Sequence, residues 1–286
     1  MNLLSLLDTI GAPAAPESAS LPPLGRRTLL RAAGQLGVRA LTAALPLAAA
    51  LPAAASTADT VLDSLRRLLT LADLQTALYT RALATAGLVP ATALPDISRI
   101  QLLQQQQQSF LRGLFGPAGA VVPAVPTFDF SGSHNGAGPV LFPNVFSTFD
   151  GFLALAQPLA DAAVRFYLGQ LLTLGSNAPL LSAAVRRQAV EARLASHLRT
   201  LRRGGGTLPK SWASPTDPAA PDALSTVQAG ENTTDQLVPG ASTGTLRYLD
   251  FNALFTSTPV QTTALAEAFD EPLPTDQAVA LLALFQ

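Results

Sequence analysis

The stretch from Leu62 to Tyr79, LDSLRRLLTLADLQTALY, decides the fold. Leu62, Leu65, Leu69, Ala72 and Tyr79 recur at three- and four-residue steps, with Gln75 or Thr76 filling the place before Tyr79. Residues at those steps share one face of an α-helix, so the spacing predicts an amphipathic helix running from about Ser56 to Gly87. Arg66, Arg67 and Arg81 fall mostly off the stripe, as a solvent-facing side requires.

Three more patterns of the same kind follow. Asp96 opens a helix with the stripe Ile100, Leu103, Gln107, Phe110 and Leu114, which Gly116-Pro117 stops. The third spans Thr148 to Gly175 with Phe149, Phe152, Ala156, Leu159, Ala163, Tyr167 and Gln170 on its stripe, and Pro158 predicts a kink. The fourth starts at Asn177, carries Pro179 in its first turn and ends near Gly204, with Leu181, Ala184, Gln188, Glu191, Ala195 and Leu198 facing one way. Short connections make antiparallel neighbours of helices one and two, and of three and four. Residues 117–147, rich in Gly, Pro, Ser and Asn, form a crossover between the pairs, with a candidate extended piece at Thr127-Phe128-Asp129-Phe130. The expected architecture is an all-α four-helix bundle over residues 56–204. A C-terminal extension, residues 205–286, wraps it with short helices near 259–269 and 275–285, because neither piece can bury a core alone.

Composition narrows the chemistry. The 286 residues are 48% hydrophobic but only 13% charged, and there is no cysteine, which excludes disulfides, thiolate metal sites and cysteine nucleophiles. A formal net charge of −1 gives no electrostatic footprint for nucleic acid. The N-terminal segment reads as a removable export signal: Arg26-Arg27 precedes Leu29-Leu30, and the alanine-rich stretch from Ala40 ends in Ala53-Ala54-Ala55 before Ser56. Pro46 and Pro52 and the short apolar length argue against stable membrane insertion. The arginine pair resembles a twin-arginine signal, which implies a periplasmic or otherwise exported protein. Removing residues 1–55 takes away four arginines and two acids, which leaves 14 basic and 17 acidic residues.

The order of several motifs resembles the desiccation-related branch of the ferritin-like proteins. They are Leu71-Ala72-Asp73-Leu74-Gln75-Thr76-Ala77-Leu78-Tyr79, Ser109-Phe110-Leu111-Arg112-Gly113-Leu114-Phe115-Gly116, Phe149-Asp150-Gly151-Phe152, Val164-Arg165-Phe166-Tyr167, Val190-Glu191-Ala192-Arg193 and Glu267-Ala268-Phe269-Asp270-Glu271-Pro272-Leu273. The resemblance spans about residues 57–285 and implies a four-helix bundle with a long crossover. Metal-competent bundles of this kind place a Glu on each of two helices and a Glu-x-x-His on each of the other two. Carried over, these ligand positions fall on Gln75, Gln104 and Gln107, about Ala160 (with Asp161 adjacent), Glu191 and Leu194. One anionic ligand remains, so the resemblance implies a degenerate di-metal site, no cofactor and a non-catalytic structural or binding role. The competing expectation is an iron or manganese protein with a reduced ligand set of Glu191, Asp161 and Asp73. Expected partners are a second copy or a metal-competent relative.

Gln75, Gln104, Gln107 and Glu191 lie on or beside apolar stripes, so they are expected to meet as a polar network. Glu191 would draw hydrogen bonds from the amides, Arg165 or Arg193, or else titrate high. His197, six residues beyond Glu191, points away from that face, and His134 belongs to a turn. Gly204-Gly205-Gly206 is a helix stop, and Asn232-Thr233-Thr234 is only formally a glycosylation sequon. Trp212 is expected to fasten the extension to the bundle.

Overall fold

The structure is a computed structural model that describes residues 60–116, 120–203, 210–215, 217, 221–225, 236–239, 246–249, 262–268 and 270–286. The export signal, the glycine run at 204–206 and the sequon at 232–234 lie outside the described residues. Four long helices form the bundle: α1 (Val61–Ala84), α2 (Leu94–Phe115), α3 (Phe149–Leu174) and α4 (Ala178–Arg203). Among the described residues no helix is long and apolar enough to cross a membrane.

Local chemistry sets the first boundary. Thr60 caps α1: its Oγ1 accepts from the Asp63 amide at 3.1 Å while Asp63 Oδ2 accepts from the Thr60 amide at 3.3 Å. This reciprocal pair satisfies two amides that have no partner within the helix, and such a cap contributes about 1 kcal/mol. The helix therefore begins at Val61, five residues later than the periodicity alone places it. Pro158 does not interrupt α3, which continues as one helix through it.

α1 pairs with α2, and α3 with α4; α1 also packs on α3 and closes the bundle. Burial of α1 is much wider than a stripe, because Leu68, Leu71, Leu74 and Leu78 are buried alongside Leu65, Leu69 and Ala72. The cause is a third neighbour. Helix α6 (Thr275–Ala283) packs its buried Ala278, Leu281 and Leu282 against α1 and α3. Each fully buried leucine contributes about 2 kcal/mol of transfer free energy, so the extension is part of the core.

The crossover is knitted to the C-terminal end. Phe285 stacks on Phe142 with centroids 5.3 Å apart and meets Phe130 at 6.2 Å, and its carbonyl accepts from the Asp129 amide at 2.8 Å. Residues 127–130 thus make no strand; one backbone bond to Phe285 takes the place of a ladder. The Asp129 carboxylate accepts from the Ser131 hydroxyl at 2.6 Å and from the Asn135 and Ser131 amides at 2.9 Å, which holds it far below the usual carboxylate range. His134 stands in the same turn at a positive φ of 52°, exposed, with Nδ1 2.8 Å from the Gln286 carbonyl oxygen.

The extension also holds a 3-10 turn at Asp222–Leu224, a two-stranded antiparallel hairpin of β1 (Gln236–Pro239) and β2 (Leu246–Leu249), and the short helix α5 (Thr262–Ala268). The hairpin falls in the stretch before the two expected short helices, where the sequence pattern placed no element, and the bundle itself is entirely α-helical. Four-residue strands are too short to show a period.

Arg165 docks the extension on α3. The Leu273 amide donates to the Arg165 carbonyl at 2.9 Å, and the Arg165 Nε donates to the Glu271 carbonyl at 2.8 Å. At this crossing a Cβ on Gly169 would run into the Leu273 carbonyl oxygen. Within the extension itself, Glu267 accepts from Lys210, from Ser214 Oγ at 2.6 Å and from Trp212 Nε1 at 2.8 Å. Those donors, Lys210 first, lower the Glu267 pKa from 4.5 to about 2.

Gly169→Ala should therefore destabilise the protein by about 1–3 kcal/mol, as overpacking does. Gly113→Ala, in α2 with open space around it, should stabilise by about 0.5–1 kcal/mol. Thermal unfolding checks both, and equal melting temperatures would refute the close approach. Because the folded pKa of Glu267 is depressed, its contribution is present above pH 4.5 and is lost as pH falls toward about 2. The emission of Trp212, the single tryptophan, should change across that window, and the change should be absent in Glu267→Gln.

Candidate functional site

At the bundle centre lies one carboxylate, Glu191 on α4, with 0% of its surface exposed. A buried charge must be hydrogen-bonded and paired. Gln75 of α1 donates Nε2 to Glu191 Oε2 at 3.3 Å, and Gln104 of α2 holds Nε2 3.4 Å from both carboxylate oxygens. The cation comes from the same helix one turn earlier. Arg187 Nη2 donates to Glu191 Oε1 and also to Gln104 Oε1, and its Nη1 donates to the Leu103 carbonyl at 3.2 Å. The i, i+4 spacing of Arg187 and Glu191 puts both on one face.

Two tyrosines enclose the pair. Gln107 Nε2 donates to the Tyr167 hydroxyl at 3.0 Å, which brings α3 into the network, and Tyr79 lies fully buried on α1 one turn after Gln75. Burial raises both phenol pKa values well above the usual range; the Glu191 charge adds to this at each, while Arg187 opposes it. Burial works against the charge on Arg187, but Glu191 and then Tyr167 outweigh it, so its pKa is raised. The guanidinium stays charged.

The structure therefore joins Gln75, Gln104 and Glu191 directly, and Gln107 at one remove through Tyr167. Ala160 and Leu194 are buried core residues that bring no polar group. The polar side chain from α3 is Tyr167, seven residues after Ala160, or about 10 Å along a helix. Neither Arg165 nor Arg193 serves Glu191. Arg165 holds the extension, and Arg193 Nε donates to the Ala189 carbonyl on the exposed side of α4. The cation paired with Glu191 is Arg187, and its i, i+4 relation to Glu191 was the available signal.

The other buried acids have their own arginines. Asp73 is held by Arg112 Nη2 at 2.9 and 2.8 Å and by Gln108 Nε2 at 2.7 Å. Asp161 is held by Arg199 through Nε at 2.9 Å and Nη2 at 2.5 Å; burial raises its pKa although Arg199 opposes the shift. Asp73, Asp161 and Glu191 thus sit in three separate ion pairs. Among the described residues no three His, Cys, Asp or Glu side chains are grouped to hold a metal ion. His197 is half-buried, with Nε2 3.3 Å from Asp96 Oδ2 between the end of α4 and the start of α2.

Four helices in two pairs, a crossover between the pairs and a polar cluster at the centre define a ferritin-like bundle. The family model described as ferritin-like domain matches residues 60–203, and the chain belongs to that family. No curated protein and no solved structure gives a significant match.

Removing one partner of a buried pair strands the other charge, so Arg187→Met should cost about 3–5 kcal/mol of unfolding free energy. Adding Glu191→Leu should recover much of that loss, since two apolar groups leave no charge to solvate. Denaturant unfolding measures both. A cost below about 1 kcal/mol for the single variant, the level of an exposed pair, would contradict the central role given to the pair.

Proposed function

We propose that this chain is an exported ferritin-like protein of the desiccation-related branch that has lost di-metal chemistry. In this reading it acts as a non-catalytic structural or binding protein, associating with itself or with a metal-competent relative, and serving in stress. The observation that carries the loss of metal is the Arg187 guanidinium bonded to both Glu191 and Gln104. A permanent cation there neutralises the anionic ligand that remains and would repel added metal ions. The neighbouring glutamines supply amides aimed at a carboxylate and bring no negative charge. A di-metal centre needs several anions to offset its charge, and this donor set does not fit one.

Export rests on Arg26-Arg27 and the alanine-rich stretch after it; the stress role rests on the resemblance of the motifs. Exported protein, purified after growth with added iron and manganese, should contain far less than one metal ion per chain by elemental analysis. Stoichiometric iron or manganese that disappears in Glu191→Ala would replace this reading with the reduced-ligand metal protein. Changing Arg26 and Arg27 to lysine should leave the chain in the cytoplasm, and unchanged export would remove the twin-arginine assignment.

A further inference from the structure

A cavity of about 320 Å³ lies away from the bundle centre, between α3, α4 and the extension. Small side chains create it. Val164 of α3 with Ala192 and Ala195 of α4 form its bundle-side lining, and Ala213 and Ala268 face them from the extension. Its volume is near the lower end of ordinary ligand pockets, about 300–1,000 Å³, which sets the scale of an occupant at a small molecule.

Most charged groups in its walls are already used. Arg199 spends Nε and Nη2 on Asp161 and gives Nη1 to the Trp212 carbonyl at 3.0 Å and to Asp217. Glu267 is occupied by Lys210, Trp212 and Ser214. Four groups are left open. The Asp270 carboxylate accepts no hydrogen bond, although the charges of Arg165 and Arg199 act on it from a distance, and the hydroxyls of Ser196 and Ser211 make none either. The Trp212 indole, its N–H fixed on Glu267, remains 52% exposed. Lys210 Nζ already stands 5.9 Å from the ring centroid, a cation near the limit of favourable ring contact.

This inventory selects the class of ligand. An anion would meet three lining carboxylates and a guanidinium that already spends four of its five N–H donors within the protein. A metal ion would find one open carboxylate and neither histidine nor cysteine among the lining residues. A carboxylate, two hydroxyls, an indole face and an alanine lining match an N–H-bearing cation with an apolar body. We propose that the cavity binds a small organic cation, an amine or guanidinium with a short apolar body. Asp270 takes the charge, Ser196 and Ser211 accept further N–H bonds, and Trp212 with the alanines holds the body. This site is independent of the Glu191 cluster and of whether that cluster binds metal.

Trp212 is the single tryptophan of the chain, so its emission reports on the cavity alone. The full chain is titrated with agmatine and with 2-phenylethylamine, and separately with 2-phenylethanol and phenylacetate. At least one amine should give a saturable change in emission, and the neutral and anionic probes should give none. Asp270→Asn should weaken amine binding about tenfold or more, the scale of a lost charge-assisted bond. Ala268→Phe, a change at an exposed lining position, should abolish the response by filling the cavity while helical circular dichroism is kept. The proposal is overturned by no saturable response to either amine at millimolar concentration, by an equal response to phenylacetate or phenylethanol, or by unchanged affinity in Asp270→Asn.

Discussion

The centre of this bundle is organised by the need to partner the Glu191 carboxylate, which has none of its surface exposed. Arg187, one helical turn earlier, supplies the positive charge, and Gln75 and Gln104 complete the hydrogen bonds from two other helices. Each partner fixes a helix in register: a slip of α1 or α2 by one residue would rotate its glutamine off the carboxylate by about 100°. Leucine packing tolerates such adjustments far better than a desolvated ion pair does. The network therefore selects one arrangement among several that the apolar faces alone would permit.

The same device recurs at the other joints. Arg112 ties Asp73 on α1 to α2 and, through Nη1, reaches the Pro123 carbonyl of the crossover at 2.9 Å. Arg199 ties Asp161 on α3 to α4 and reaches the extension through the Trp212 carbonyl and Asp217. Each guanidinium joins more than two segments because its donors fan out in a plane, which a lysine ammonium does not reproduce. In a chain with only 13% charged residues, several of the charges are thus inside, at the places where elements meet. That distribution also places Asp73, Asp161 and Glu191 in separate ion pairs.

The extension changes what the bundle is. Helix α6 and Phe285 turn an amphipathic α1 into a helix buried nearly all round, and the crossing at Gly169 brings backbone against backbone. Removing this segment would uncover leucines of α1, so the extension and the bundle form one core. The price is an imperfect fit along α3 and α4, where alanines face alanines and leave a cavity with an indole at its edge.

The four long helices were legible in the sequence because strong periodicity over more than twenty residues has one physical reading. Their ends were legible to within a few residues, the Thr60 cap being a local signal that the stripe could not locate. Gln75, Gln104 and Glu191 were recognisable as polar residues on core-facing positions, a conflict that burial resolves only by bringing them together. Which cation answers Glu191 was misread from the sequence, which pointed to Arg165 or Arg193: Arg187, one turn before Glu191, is the arginine that the packing turns inward. Tyr167 stood on its predicted stripe, yet its bond to Gln107 depends on how far α3 slides along α2, a long-range quantity. The hairpin and the cavity belong wholly to tertiary structure, since four-residue strands carry no usable period and a void is a property of facing surfaces. By itself the sequence determined the four long helices and their pairing, because these follow from local spacing and residue chemistry. Only the tertiary structure decided which charges met, because that depends on segments far apart in the chain settling at one distance.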